Sequence, residues 1–122
     1  MKYKLHYTDR RHRYHPWFFC YISFSKHMGQ DVGPLNFCKA LDWFTEKYGT
    51  SSEVRQWQEM KDWQVITKRV ASATNAYYTN DEVADNIDKY VNPHWSWSNG
   101  TEDLRIYISS EKELSFFHLS FS

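Results

Sequence analysis

Three of the six histidines in this chain share one pattern, an apolar residue followed by a hydroxyl: His6-Tyr7-Thr8, His94-Trp95-Ser96 and His118-Leu119-Ser120. On a β-strand, residues two apart share a face, so each imidazole would have a hydroxyl beside it. Two such strands facing one cleft would bring two imidazoles and two hydroxyls together. A second concentration of chemistry lies in one short loop, where Arg10, Arg11 and Arg13 are followed by Tyr14 and Trp17. Three guanidiniums suit phosphates, and Tyr14 or Trp17 would stack on a base. The same loop carries His12 and His15, which with His6 raises the question of a metal. A zinc site needs three or four ligands of compatible geometry, and the arginines would repel a cation, so neither metal nor cofactor is expected.

The paired histidine motifs resemble those of the 2H phosphoesterases. That resemblance implies an acid–base pair made of His6/Thr8 and His94/Ser96, acting on a nucleotide. The chain departs from the family in being short for a bilobal fold, and a motif in the first strand leaves little room for a lobe before it. A solvent-facing strand side rich in serine gives the same pattern, and His6 and His94 are expected not to converge. Other templates fit less well. The sequence has no Gly-rich phosphate loop, no nucleophile elbow and no helical pair of metal-binding histidines. Glu59-Met60-Lys61 has a nuclease-like spacing but falls on an expected helix.

Any such site must be carried by a chain of 122 residues, enough for a single domain spanning 1–122 with one core. Six Trp, nine Tyr and eight Phe make that core aromatic and leave rings over for a contact surface. Net charge is zero, so no global field advertises nucleic acid or an anionic membrane. Locally the balance is uneven: residues 1–15 carry Lys2, Lys4, Arg10, Arg11 and Arg13 against Asp9, a local +4. Residues 80–90 carry Asp81, Glu82, Asp85 and Asp88 against Lys89, a local −3. Cys20 and Cys38 read as two buried reduced thiols. No apolar run is long enough for a membrane span or a signal peptide, so the expected location is cytoplasmic, the host cytoplasm if viral. Asn99-Gly100-Thr101 then reads as a turn rather than a glycan site.

The elements follow from periodicity. Residues 3–8 alternate as a half-buried strand, and 17–25 form a second strand whose even face is wholly apolar. A short loop between them predicts an antiparallel hairpin. Gly33-Pro34 opens a helix over 34–48, closed by Gly49, and Thr50-Ser51-Ser52-Glu53 caps another over 52–61. Residues 63–78 are undecided, and a helix is predicted over 80–91, stopped by Asn92-Pro93. Trp95 and Trp97 alternate with serines, and Leu104, Ile106 and Ile108 continue the strand pattern after the Asn99-Gly100 turn. Residues 110–115 fit a tight turn or one helical turn, and 116–121 a closing strand. The sum is an α+β domain, an antiparallel sheet with two to three helices packed on one face.

The closing segment, RIYISSEKELSFFHLSF, resembles the tail of many small phage-encoded α+β proteins: a strand, an acidic turn or short helix, and a closing Phe-x-Leu-x-aromatic strand. The resemblance covers about the last 20 residues and implies a viral source without assigning any catalytic residue. Trp, Tyr and Arg are the residue types that dominate protein–protein hot spots. The function expected is therefore a small non-enzymatic interaction protein that binds a host or viral macromolecule and does not engage a membrane. Its candidate surfaces are the basic hairpin Arg10–Trp17 and the Trp95/Trp97 strand. The alternatives are nucleic-acid binding through residues 10–17 and the phosphoesterase chemistry above.

Overall fold

A computed structural model describes residues 1–27, 29–30, 32–62, 91–100 and 102–121. In chain order these residues form β1 (Lys4–Tyr7), β2 (Cys20–Ser25), α1 (Gly33–Tyr48), α2 (54–62), β3 (Trp95–Asn99), β4 (Asp103–Ile108) and α3 (Glu111–Phe121). The four strands make one antiparallel sheet in the order β1-β2-β4-β3. The architecture is that of a small α+β domain. The undecided segment 63–78 and the helix expected over 80–91 lie outside the described residues, Val91 excepted.

The hairpin expected from alternation is present, with Leu5 opposite Ile22 and His6 opposite Tyr21. Its second strand is shorter than the apolar run that announced it. The N–H groups of Trp17 and Phe18 both donate to the Tyr14 carbonyl, so the chain is still turning there. Phe19 N–H donates to the Ile108 carbonyl although Cys20 is the register partner of Ile108, the offset of a β-bulge.

The sheet is covered on both faces. On one, Cys20, Ile22, Phe24, Trp95, Leu104, Ile106 and Ile108 meet Phe37, Ala40 and Phe44 of α1 and Leu114 and Phe117 of α3. On the other, Tyr21 and Tyr107 meet Phe18, Val54 and Trp57 of α2, and Val91. Thus α1 and α3 share one face, while α2 and the 9–18 loop pack on the opposite one. Gly33 is required where α1 begins, because a Cβ there would lie 2.0 Å from the Ser25 carbonyl oxygen. Gly49 closes α1 with φ +91°, a region that favours glycine.

The closing strand expected over 116–121 is instead α3. Leu114 N–H donates to the Ser110 carbonyl, the first bond of the helix, and Ser110 Oγ donates to the Glu113 carboxylate in its first turn. Once a helix starts there, Leu114, Phe117 and Phe121 share the buried stripe, whereas Leu119 is 75% exposed. Phe117, Leu119 and Phe121 fit a strand period, but Leu114, Phe117 and Phe121 fit the helical one, and it is that stripe which packs on the core. The cysteine expectation needs a correction too. Cys20 is fully buried, but Cys38 lies on the exposed side of α1. Burial pushes the Cys20 thiol up to about 12, which makes it a packing group rather than a nucleophile.

The two edges of the sheet differ. Outside β3 runs the 49–53 segment: Ser51 Oγ donates to the Trp95 carbonyl (2.8 Å), Trp97 Nε1 to the Ser51 carbonyl (3.2 Å), and Ser96 Oγ to the Ser52 carbonyl (2.8 Å). Glu53 adds a parallel bridge to Trp97. Among the described residues no strand pairs with the outer side of β1.

Candidate functional site

The loop between β1 and β2 is built around Asp9. Its carboxylate accepts the Arg11 backbone N–H (2.9 Å) and the Arg11 guanidinium through Nη2 (2.8 Å) and Nε (3.2 Å). These bonds, the side-chain one foremost, hold the Asp9 carboxyl well below the usual carboxylate range. Successive turns follow, with His12 N–H donating to the Asp9 carbonyl and His15 N–H to that of His12. Thr8 Oγ1 donates to the Phe19 carbonyl (2.9 Å) and ties the two ends of the loop together.

Two aromatic rings fix this loop to the sheet and to α2. Tyr14 stands edge-on to Tyr107 with centroids 5.3 Å apart, and Trp17 edge-on to Trp57 at 5.7 Å. Phe18 fills the gap between Trp57 and Tyr107. Tyr14 and Trp17 are therefore half-buried anchors, and the displayed groups are Arg10, Arg11, Arg13, His15 and Pro16. Arg11 is committed to Asp9, Arg13 lies over the Tyr14 ring at 5.7 Å, and Arg10 has no partner among the described residues.

Sequence reasoning did not single out Tyr7 and Phe19 as surface groups. They are 60% and 38% exposed and meet edge-to-face at 5.3 Å beside the loop. Alternation puts Tyr7 on the same side as Leu5, which packs against the core, so the pattern pointed inward. Its place at the very end of a four-residue strand exposes it instead. Tyr7, His15, Pro16, Trp17 and Phe19 line a notch of about 370 Å³.

The second surface proposed from sequence is absent. Trp95 is 1% exposed in the core, with Nε1 donating to the Gly49 carbonyl (3.0 Å). Trp97 is half-buried and packs against the same cluster. Both are structural, because the register pairing Trp95 with Ile108 and Trp97 with Ile106 turns them toward the helices.

The histidine motifs do not converge. His6 is on one edge strand, stacked on Tyr21 at 4.7 Å with Nε2 3.2 Å from Ser23 Oγ. His94 precedes the opposite edge strand, stacked on Tyr48 at 4.7 Å, and its Nδ1 donates to Glu113 Oε1 (2.9 Å). β2 and β4 lie between those edges, a span of about 14 Å at ordinary strand spacing. The partners of His6 sit on the α2 face of the sheet and those of His94 on α1 and α3, so no cleft is shared. Thr8 serves the loop closure, and Ser96 is buried against Ser52. His118 lies on α3, where residues two apart diverge. It bonds and stacks with Tyr3, while Ser120 Oγ donates back to the Phe116 carbonyl.

Glu113 does carry a perturbed carboxyl. Burial raises its pKa, but hydrogen bonds from Ser110, His94 and a backbone N–H outweigh that and leave it below the ordinary value. Its bonds tie the first turn of α3 to Ser110 and His94 rather than form a reactive pair. Among the described residues no three His, Cys, Asp or Glu side chains come together to hold a metal ion. Nor is any helix among them long and apolar enough to cross a membrane. An antiparallel sheet with one guanidinium-bearing, aromatically anchored loop is thus what defines this molecule. No family model matches the chain, and neither the characterised proteins nor the solved structures contain a match to it.

Proposed function

We propose that this chain is a small non-enzymatic interaction protein that binds a host or viral macromolecule through residues 7–19. The observation that carries this reading is the construction of the loop. Asp9 and four turn bonds order its backbone, while Tyr14 pins it to the sheet and Trp17 to α2. A loop ordered before contact loses little conformational entropy on binding, and it presents arginines beside the exposed rings of Tyr7 and Phe19. The dispersal of His6, His94 and His118 supports a binding role over phosphoester chemistry. The free thiols of Cys20 and Cys38 fit a reducing compartment such as the cytoplasm. The C-terminal resemblance is the sole support for a phage source, and where it implies a closing strand the chain forms α3.

The test is affinity capture from a cell extract by immobilised protein, with and without nuclease, using the native chain and the Arg10→Glu/Arg13→Glu variant. A protein partner that is retained after nuclease treatment and lost in the variant supports the reading. Material that disappears on nuclease treatment would instead establish the loop as a nucleic-acid contact, with a salt slope that shrinks by about one for each phosphate contact removed.

A further inference from the structure

We propose that the outer edge of β1, unpaired among the described residues, takes an extended, acidic segment of a partner protein as an added antiparallel strand, an inference that rests on the interaction reading above. Thr8 N–H donates to the Phe19 carbonyl (3.1 Å), and in this register His6 and Lys4 exchange hydrogen bonds with Tyr21 and Ser23 of β2. The backbone N–H and C=O groups of Leu5 and Tyr7 consequently point away from the sheet. Such a row is a template for strand addition. The opposite edge is closed by the 49–53 segment, so the sheet offers this one free edge among its described residues.

The side chains flanking the edge choose the occupant. On the α2 face Lys4 is exposed, with His6 beside it, along a cleft of about 500 Å³ that Lys2 also lines; Glu102 and Asp103 border it from the β4 side, two strands away, and Asp103 is neutralised by Arg105. On the other face lie Leu5 and the exposed Tyr7 ring, and the strand runs out into the notch between Tyr7 and Phe19. Residues 1–15 carry a local +4. An incoming strand with acidic side chains toward Lys4 and apolar ones toward Leu5 and Tyr7 satisfies both faces. Self-pairing of two β1 strands does not, because the strand Lys4-Leu5-His6-Tyr7 offers Lys4 no carboxylate in any register. A lysine on an edge strand repels basic strands, is costly to desolvate against neutral ones, and admits an acidic one that pairs with it.

The probe is a fluorescein-labelled octapeptide of alternating Val and Glu, titrated by anisotropy against the whole chain. A Val–Lys octapeptide should bind about tenfold more weakly or not at all, and Lys4→Glu should weaken the Val–Glu complex by a similar factor. In the antiparallel register, the residues opposite Leu5 and Tyr7 turn their N–H groups to β1, and those are the valines. N-methylation of the valines should abolish binding, while N-methylation of the glutamates should leave it. Leu5→Pro removes an outward N–H that β2 does not use and should also abolish binding. The peptide frames decide the matter without altering the protein. Equal binding of the two peptides, indifference to which frame is methylated, loss in the glutamate frame alone, or no saturable binding would overturn the proposal. So would dimerisation through β1, read by sedimentation. If capture of a partner depends on Arg10 and Arg13 but the peptide fails, the edge proposal falls and the loop reading stands. If both fail, the loop reading falls as well.

Discussion

His94, Glu113 and Ser110 show how a histidine beside a carboxylate can serve structure, here by tying the chain before β3 to the first turn of α3. Glu113 accepts hydrogen bonds from both neighbours and its pKa is lowered, so the ionised form is favoured in the folded state. A depressed carboxyl contributes stability that is present above its unfolded pKa of about 4.3 and lost as pH falls through the folded value. Thermal melts from pH 7 down to pH ~3 should show a steeper acid loss of Tm for the native chain than for Glu113→Gln, with the variant already less stable at neutral pH. The buried tryptophan gives a second residue-scale expectation. Trp95→Ala should cost about 3–5 kcal/mol in denaturant unfolding, whereas Arg10→Ala should fall within about 0.5 kcal/mol of the native chain. Alternation with serines correctly announced a strand at Trp95 and Trp97 but not which face was buried. That depended on pairing with Ile108 and Ile106, partners that no local pattern in residues 95–99 identifies.

Among the elements, those with punctuation as well as periodicity were legible. Pro34 and Gly49 bracket α1, and its Phe37, Ala40 and Phe44 form the buried stripe. Alternation in Leu104, Ile106 and Ile108 marks β4. Over α3, Phe117, Leu119 and Phe121 alternate as a strand would, while Leu114, Phe117 and Phe121 recur at helical spacing. Local alternation lost to the packing of Leu114, Phe117 and Phe121 on the core. The Ser110 hydroxyl bonds the Glu113 carboxylate in the first turn, and Ser110→Ala, which removes that bond, should lower stability by about 0.5–1.5 kcal/mol in chemical denaturation. Gly33 offers a sharper element-scale test. Its missing Cβ is where the start of α1 meets the end of β2, and the obstructing atom is backbone. Gly33→Ala should therefore lower Tm clearly, even though Ala is the better helix former, and an unchanged or raised Tm would contradict that close approach.

For the whole molecule, topology decides what the motifs can do. Placing β1 and β3 at opposite edges parts His6 from His94, a separation that residue spacing could not reveal. The same topology leaves the β1–β2 loop as the place where displayed guanidiniums lie against an anchored aromatic base. The basic cluster itself was legible in sequence. Its anchoring was not, because Tyr107 and Trp57, on which Tyr14 and Trp17 rest, are distant in the chain. The account therefore requires that charge on the loop matter for binding and not for folding. The measurement that tests this most directly is an equilibrium titration of the captured partner with the native chain and with Arg10→Glu/Arg13→Glu, with melting curves of both proteins alongside. The expected result is an unchanged Tm and an affinity at least about tenfold weaker in the variant, mostly through slower association, with the difference between the two proteins narrowing as salt is raised. Equal affinity in the two proteins, with both fully folded, would contradict it.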